Sequence, residues 1–323
     1  MAESPSRLAG QLPRLGYGAA NVGNLYRELS DEQASAVLDA AWEAGIRYFD
    51  TAPHYGLGLS ERRLGRFLAG KPRADFVLST KVGRLLRPNP GGGAELDLAN
   101  DFAVPADHQR VWDFSADGIR RSVHESLERM GLDRVDIVYL HDPERFDLPA
   151  ALGTGIPAAR ALRDEGVVSA IGVGSMDNDA MLAAVQTGEL DLLMLAGRYT
   201  LLEQHAAQQV LPACAKYSTS VVLASVFNSG ILASDRPAAD ARYEYRQVPT
   251  AISDRHRELV SVCHANGVEL PAAALQFGLR HDAVRSVVVG AGSPEQITQC
   301  TRWMESPIPQ QFWDALADRG LIG

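Results

Sequence analysis

The sequence predicts an α/β protein of the (β/α)8 TIM-barrel class, with a long loop after the third strand, as a single domain over residues 1–323. Three observations predict it. Short β-rich runs alternate with longer helical patterns eight times, no Pro/Ser-rich linker divides the chain, and the glycine fingerprint of a dinucleotide-binding Rossmann domain is missing after the first strand. Open doubly wound sheets usually have fewer strands, so eight β/α units favour a closed barrel.

The strand candidates are short runs of apolar and β-branched residues that end in polar or glycine-rich turns. In chain order they are 13–20, 46–52, 75–83, 135–142, 168–175, 190–197, 220–227 and 284–292. Each run is followed by a segment with the apolar spacing of a helix, as a parallel β/α barrel requires.

The helix candidates are marked by caps and by apolar periodicity. Ser30 and Gln33 have the spacing of a capping box and Gly45 follows the first helix, while Ser60 is the expected cap of the second. The predicted helices cover 30–45, 60–70, 115–131, 156–166, 178–188, 204–218, 251–267, 271–282 and 293–300.

The segment from Gly83 to Phe114 is rich in glycine and proline and is too long for a plain connection between a strand and a helix. Long loops at the carboxyl ends of barrel strands commonly shape the substrate pocket. We therefore expect it to lie over the rim of the barrel as a partly mobile lid.

Composition narrows the class of partner. The net charge is −9 and lysines and arginines form no stripe, which makes nucleic acid and anionic membranes poor partners. The polar N-terminal stretch has no signal-peptide core, and no apolar run is long enough to span a bilayer. Three scattered cysteines without metal spacing, Cys214, Cys263 and Cys300, indicate reduced thiols. We expect a cytoplasmic monomer or small homo-oligomer that binds a small molecule.

Four titratable residues follow strand candidates that are neighbours in the predicted barrel. Asp50 ends the second strand, Tyr55 follows it, Lys81 ends the third strand and His141 ends the fourth. Each has an ordinary interpretation alone, such as a lysine that leaves the barrel for solvent. Because the carboxyl ends of parallel strands meet at one rim, the four are expected to converge there.

This set of residues is suited to proton transfer at an alcohol or carbonyl oxygen. An ammonium near a phenol stabilises the phenolate and lowers the pKa of Tyr55, while Asp50 keeps Lys81 charged and oriented. His141 can form a hydrogen bond to a substrate oxygen. The sequence shows no nucleophilic serine or cysteine with a base, and no recognised metal-ligand motif.

The stretches "YFDTAPHYG", "LSTKVG" and "VDIVYLHD" resemble the aldo-keto reductase superfamily, and the similarity runs from Gly16 to about Trp303. The resemblance implies that Asp50, Tyr55, Lys81 and His141 form a catalytic tetrad. It also implies a nicotinamide cofactor extended across the rim, with Tyr55 as the acid in reduction and the base in oxidation.

Further stretches resemble the family's cofactor contacts, although such turns are also common without a ligand. They contain a serine for the carboxamide, small polar residues and glycine for the pyrophosphate, and a helix N-terminus for phosphate. The residues implied are Ser175, Ser225, Phe227, Asn228, Ser229, Gly230, Gly290, Gly292, Ser293 and Gln296.

The departures from the family pattern bear on the choice of cofactor. Family members often place lysine or arginine in the strand-eight loop and the next helix, whereas this loop has glycine, alanine and serine and the helix has Gln296. Gln299 and Cys300 replace the adenine-binding pair, and Arg302 is the nearest cation in the sequence. NAD is therefore the expected cofactor and NADP the alternative. Ala196 replaces the glutamine often found under the carboxamide.

Within the superfamily, the chain is most similar to the group that contains D-threo-aldose 1-dehydrogenases (L-fucose dehydrogenases), L-galactose dehydrogenases and a pyridoxal 4-dehydrogenase. This similarity implies oxidation of the anomeric hydroxyl of an aldose to the lactone. The polar or aromatic candidates for substrate binding are His54, Arg84, Trp112, Asp142 and Arg198. Trp112 is suited to stacking on a sugar face or to packing the long loop.

Three alternatives remain open at this point. Pyridoxal is also a cyclic hemiacetal, so the same chemistry serves a pyridoxal 4-dehydrogenase. The same tetrad serves a broad-range NADPH-dependent carbonyl reductase. A cofactor-binding subunit without enzymatic activity, as in the family's potassium-channel relatives, is disfavoured by the intact tetrad.

Overall fold

The computed structural model describes residues 8–237, 241–243 and 246–323. These residues form twelve strands, of which eight parallel strands close into a barrel in the order β1-β2-β3-β6-β7-β8-β9-β12. The strands are β1 (Leu15–Gly18), β2 (Tyr48–Asp50), β3 (Val77–Val82), β4 (Arg84–Pro88), β5 (His108–Trp112), β6 (Ile137–His141), β7 (Ala170–Ser175), β8 (Leu192–Ala196), β9 (Ser220–Ala224), β10 (Arg242–Tyr243), β11 (Arg246–Gln247) and β12 (Val284–Gly290).

Helices follow the barrel strands and surround them. They are α1 (Asp31–Glu43), α2 (Leu59–Leu68), α3 (Ala116–Met130), α4 (Leu148–Ala150), α5 (Ile156–Asp164), α6 (Asn178–Gln186), α7 (Val210–Tyr217), α8 (Thr250–Asn266), α9 (Leu270–Phe277), α10 (Pro294–Glu305) and α11 (Gln310–Asp318). None of the described helices is both long enough and apolar enough to cross a membrane. The N-terminal stretch predicted to lack a signal peptide lies outside the described residues over 1–7.

Two apolar layers hold the barrel together. Side chains that point into it form one cluster, which includes Tyr48, Tyr139, Met194 and Val222. A larger cluster fills the space between the strands and the outer helices. Both faces of the barrel strands are therefore buried, which explains why these strands are almost continuously apolar in sequence.

The predicted barrel with eight β/α units is confirmed, with several local differences. The capping box of Ser30 and Gln33 is present, and Gly45 adopts φ +82° after α1. The prediction of Ser60 as a helix cap is wrong. α2 already begins at Leu59 after Gly58, and the Ser60 hydroxyl instead donates a hydrogen bond to the Ala19 carbonyl.

Some element ends also differ from the prediction. The seventh strand of the barrel, β9, ends at Ala224, whereas the prediction extended it to Phe227. The residues after Ala224 form a turn instead of remaining extended. α7 begins at Val210, α9 ends at Phe277 and α10 continues to Glu305. The terminal helix α11 was not predicted, although its side chains Phe312, Trp313 and Leu316 are buried.

The long segment after β3 is an antiparallel hairpin of β4 and β5 with a folded connection. Phe102 and Val104 of this connection are buried and form a small apolar cluster with Leu57 and Leu86. Leu25 pairs with Phe102 in an isolated bridge, so the segment is also attached to the loop after β1. We call residues 83–114 the lid. Its inner part is packed, and mobility is expected only near its glycine-rich tip.

Shortening the tip across Gly91–Gly93 tests the role of the lid. The tip is largely exposed, so its removal should change thermal stability little, whereas a displaced lid should alter KM or substrate range. Melting temperature and kinetics over a panel of substrates provide the measurement. Unchanged kinetics in the shortened protein would mean that the tip has no role in substrate selection.

Candidate active site

Three adjacent barrel strands bring the predicted tetrad to one rim. Asp50 is the last residue of β2, Lys81 is near the end of β3 and His141 is the last residue of β6. β3 pairs with both of the other strands, so the three side chains lie beside one another. Asp50, Lys81 and His141 are buried, whereas the ring of Tyr55 is partly exposed.

The turn after β2 returns Tyr55 to this rim. Gly56 has φ +59°, and a Cβ there would lie 2.1 Å from the carbonyl oxygen of Gly23. A larger residue would therefore separate two loops that must pack together. The turn places the Tyr55 and His141 ring centroids 6.0 Å apart and the Lys81 Nζ 4.6 Å from the Tyr55 ring centroid.

Lys81 and Asp50 form a buried ion pair with an Nζ–Oδ2 distance of 2.5 Å. The Lys81 ammonium also donates to the Thr51 carbonyl at 3.1 Å, and Ser79 Oγ donates to the other Asp50 oxygen at 2.7 Å. Burial alone would lower the pKa of Lys81, but Asp50 and then Tyr55 raise it above its usual value. Lys81 is therefore a fixed positive charge next to the phenol.

The net effect of the site on Tyr55 differs from the sequence prediction. Burial raises the pKa of the Tyr55 hydroxyl and outweighs Lys81, which lowers it as expected. The phenol is thus protonated near neutral pH before ligands bind. Burial, followed by Arg84 and Lys81, lowers the pKa of His141 well below its usual value, so this imidazole is neutral.

The candidate substrate-binding residues lie on two sides of the rim. Arg84 is buried in an ion pair with Asp142, and its guanidinium lies 4.3 Å from the centroid of the Trp112 ring. Phe146 stacks on Trp112 with centroids 5.6 Å apart and an interplanar angle of 3°. The Trp112 ring is therefore packed against Arg84 and Phe146, and Phe146 itself is 57% exposed.

A cavity of about 490 Å³ opens at the ends of β8, β9 and β12. Seven of the predicted cofactor residues line it: Ser225, Phe227, Asn228, Ser229, Gly230, Gly290 and Gln296. The loop after β9 holds three non-glycine residues at positive φ, Ser225, Asn228 and Ser229, a conformation that is found mainly at functional sites. The Asn228 Oδ1 is buried without a hydrogen-bond partner, so the cavity wall offers an acceptor suited to a polar ligand.

Three predicted cofactor residues are absent from the cavity wall. Ser175 Oγ donates to Glu144 at 2.8 Å, so its hydroxyl is already paired. The Gly292 N–H donates to Gln296 Oε1 at 2.7 Å, and Ser293 caps α10. The Ser175 hydroxyl, the Gly292 N–H and the Ser293 hydroxyl would each have to give up a present hydrogen bond in order to bind a ligand.

The cationic side chains near this cavity differ from those that the sequence predicted. Arg302, which the sequence suggested, is held by both oxygens of Glu269 at 2.6 and 2.8 Å. Arg27, which sequence analysis missed, donates to the Gly292 carbonyl at 2.8 Å. Arg198 donates to the carbonyl of Met176, a residue of the cavity wall, and so lies beside the cofactor cavity.

Four tetrad residues at the barrel rim, beside a cavity lined by predicted cofactor residues, are the arrangement that the sequence resemblance implied. A family model described as "Aldo/keto reductase family" matches residues 14–319. The chain is a member of the aldo/keto reductase family. This aldo-keto reductase is an oxidoreductase that acts on CH–OH groups of small molecules with a nicotinamide cofactor.

Several relatives align with this aldo-keto reductase over almost their full length. It is 59% identical over 312 residues to a D-threo-aldose 1-dehydrogenase of a Pseudomonas species, covering 96% of this chain and 95% of that protein. It is 39% identical to a pyridoxal 4-dehydrogenase of Microbacterium luteolum, covering 95% and 94%. A solved aldo-keto reductase of Bacillus halodurans in its holo form has a TM-score of 0.76 at 25% identity, covering 99% and 97%.

Proposed function

We propose that this aldo-keto reductase oxidises the anomeric hydroxyl of an aldose of the L-fucose or D-threo type to the lactone, with NAD as the preferred hydride acceptor. The observation that carries the proposal is the buried Lys81–Asp50 pair beside Tyr55 and His141, at the same rim as the cavity lined by predicted cofactor residues. The 59% identity to a D-threo-aldose 1-dehydrogenase supports the substrate class.

The residues of the site divide the reaction between proton transfer and orientation. A nicotinamide cofactor held in the cavity by residues such as Ser225, Asn228 and Gly230 would supply the hydride acceptor for C1 of the sugar. Tyr55 accepts the proton of the anomeric hydroxyl as the C1–O bond becomes the lactone carbonyl. Lys81 stabilises the phenolate that must exist before this transfer, and Asp50 holds Lys81 in place. Neutral His141 donates a hydrogen bond to the reacting oxygen.

The rim around the tetrad is suited to a polyol. Arg84 and Asp142 supply a charged donor and acceptor, His54 adds an imidazole and Phe146 adds an exposed ring face. Sugars bind to protein sites that combine several polar groups with an apolar surface. Phe146, whose ring stacks on Trp112, is a further candidate for stacking on the sugar.

Initial rates over a panel of aldoses and pyridoxal, each with NAD and NADP, test the proposal. We expect the highest kcat/KM with aldoses of the L-fucose type. Oxidation of pyridoxal without oxidation of any sugar would favour the second candidate, pyridoxal 4-dehydrogenase, for which the 39% identity to such an enzyme is the supporting observation. Faster NADPH-dependent reduction of aldehydes would instead support a broad-range carbonyl reductase.

The proposed preference for NAD rests on the charges around the loop that follows β12, the eighth strand of the barrel. A 2′-phosphate is usually held by arginine or lysine, and each charge-assisted contact contributes about 1.5–3 kcal/mol. In α10, which follows that loop, Gln296 lines the cavity and Arg302 is paired with Glu269. Arg27 is nearby, but it already donates to the Gly292 carbonyl. We expect kcat/KM to be about tenfold or more higher with NAD than with NADP.

Three substitutions at two positions examine this preference directly. Gln296→Arg should narrow the gap between the cofactors, and Gln296→Met controls for the lost bond to the Gly292 N–H. Arg27→Met should weaken NADP further and change NAD little. A wild-type protein that prefers NADP would refute this account of the loop, and an unchanged gap in Gln296→Arg would place the phosphate elsewhere.

We also propose that the protein acts in the cytoplasm. The three cysteines are free and buried, which agrees with a reducing compartment. Fractionation of cells that produce the native protein checks this location.

A further inference from the structure

We propose that Asp97 and Arg110 of the lid hold His54 in a single tautomer, with the ring proton on Nε2, so that His54 donates a hydrogen bond to a substrate oxygen. The role of the donor rests on the proposed sugar oxidation, whereas the tautomer itself does not. His54 is a predicted substrate contact, whereas the two lid residues that orient it were not predicted from the sequence.

The contact between Arg110 and His54 determines where the ring proton lies. Arg110 Nε donates to His54 Nδ1 at 2.5 Å, and Arg110 Nη2 donates to the His54 carbonyl at 2.9 Å. A guanidinium has donors only, so Nδ1 must be the acceptor. In a neutral imidazole the proton is then on Nε2. The two bonds from one guanidinium also fix the ring relative to its own backbone.

Asp97 holds the guanidinium in this position. Its two carboxylate oxygens accept from Arg110 Nη1 and Nη2 at 3.0 and 2.6 Å. The side chains of Asp97 and Arg110 are only 8% and 12% exposed. A bidentate pair of this kind has a defined geometry and is little screened by solvent. Asp97 and Arg110 are therefore positioning residues that act through His54.

The imidazole that they orient belongs to the wall of the catalytic site. The His54 ring centroid lies 5.6 Å from that of His141 and 6.1 Å from that of Tyr55. Its third aromatic neighbour is Phe102 of the lid, at 5.4 Å and an interplanar angle of 87°. His54 is partly buried, and these distances place its ring beside the two groups proposed to contact the reacting hydroxyl.

The charges around His54 keep the imidazole neutral. Burial, followed by Arg84, Arg110, Arg145 and Lys81, lowers the pKa of His54 to about 2. Asp97, the carboxylate that contacts Arg110, is already paired with that guanidinium. The Arg110 guanidinium therefore contacts His54 Nδ1, and the other cations disfavour the imidazolium form, in which both ring nitrogens carry a proton. The Nε2–H donor is thus expected to persist throughout the pH range in which the enzyme is folded.

The tautomer is measured by long-range ¹H–¹⁵N spectra of the protein labelled at its histidines, without substrate. The chain has eight histidines, and the spectrum of His54→Gln identifies the signal that belongs to His54. We expect an unprotonated Nδ1 and a protonated Nε2, unchanged between pH 6 and pH 9. Arg110→Met should give a mixture of tautomers. A protonated Nδ1 in the wild type would overturn the proposal.

A matched pair of variants tests the donor role. Glutamine places its amide nitrogen near the position of Nε2, whereas the amide of asparagine reaches only the position of Nδ1. We expect KM for the sugar to rise about tenfold in His54→Asn and clearly less in His54→Gln, with a smaller change in kcat in both variants. Equal KM values in the two variants would refute the donor role.

The spectra and the kinetics separate this inference from the proposed function. If sugars are not substrates, the kinetic comparison is repeated with whichever hydroxyl compound the substrate panel identifies, and the spectra are unaffected. A protonated Nδ1 together with active sugar oxidation would contradict this inference, including the donor role of His54, and would leave the proposed function standing.

Discussion

Tyr55→Phe is expected to lower kcat for sugar oxidation by about 10²–10⁴-fold, which is the usual contribution of a positioned acid or base. Phenylalanine keeps the ring that packs against His141 and Phe102 but removes the oxygen that accepts the proton. Cofactor affinity should be nearly unchanged, because Tyr55 is not part of the cavity wall assigned to the cofactor. Stopped-flow or steady-state rates, with cofactor titration by fluorescence, measure both quantities.

Tyr139→Phe is the matched control for this variant. Tyr139 lies in β6 inside the barrel, and its hydroxyl is hydrogen-bonded to Tyr48 at 3.2 Å. Loss of this phenol should cost at most about 1–3 kcal/mol of stability and little activity. If Tyr55→Phe retains most of its activity, the assignment of Tyr55 as the proton acceptor is wrong.

Lys81→Met is expected to give the second large effect, a loss of about 10²-fold or more in kcat near neutral pH. Oxidation requires the Tyr55 phenolate, and burial already raises the pKa of this hydroxyl. Lys81 opposes that rise, so removing its charge raises the pKa of Tyr55 further. Activity increases as the phenolate forms, and the rising limb of the pH–rate profile should therefore move to higher pH. The kcat–pH profiles of wild type and variant provide the test.

Lys81→Met also leaves Asp50 as a buried carboxylate without its ammonium, which typically costs about 3–5 kcal/mol of stability. The double variant Asp50→Asn/Lys81→Met removes both charges and separates instability from loss of catalysis. It should recover thermal stability while its pH profile remains shifted. A variant with residual activity and the wild-type pH profile would show that Lys81 does not act on the phenol.

The barrel and the tetrad could be predicted from the sequence because both depend on local patterns. Apolar runs define the strands, and parallel strands bring their carboxyl ends to one rim, so Asp50, Lys81 and His141 were expected together. The turn that returns Tyr55 was indicated by the glycine that follows it, and Gly56 does adopt a positive φ.

The remaining parts of the site depend on contacts that are distant in sequence. Arg27 meets Gly292 across 265 positions, and Arg110 meets His54 across 56. The alternation of β5 could have shown that Arg110 and Trp112 point the same way, but no pattern identified their neighbours. Phe146 and Glu144 lie in a short turn whose position was not predicted.

The pKa of Tyr55 shows a different limit of sequence analysis. The sequence identified the charge that lowers this pKa, but it gave no measure of the burial that raises it. The balance between the two depends on how much protein surrounds the hydroxyl, which only the folded barrel specifies. The sequence therefore predicts the effect of Lys81 and the proposed role of Tyr55 as the proton acceptor, whereas the net shift of the Tyr55 pKa comes from the burial that the structure shows.

The most direct test of the central claim compares L-fucose with its methyl glycoside, using wild-type enzyme and NAD. The glycoside keeps every hydroxyl except the anomeric one, so it can bind but cannot lose hydride from C1 to give a lactone. We predict NADH formation and the lactone from the free sugar, and neither from the glycoside. NADH formation from the methyl glycoside at a rate similar to that from free L-fucose would contradict oxidation at the anomeric hydroxyl.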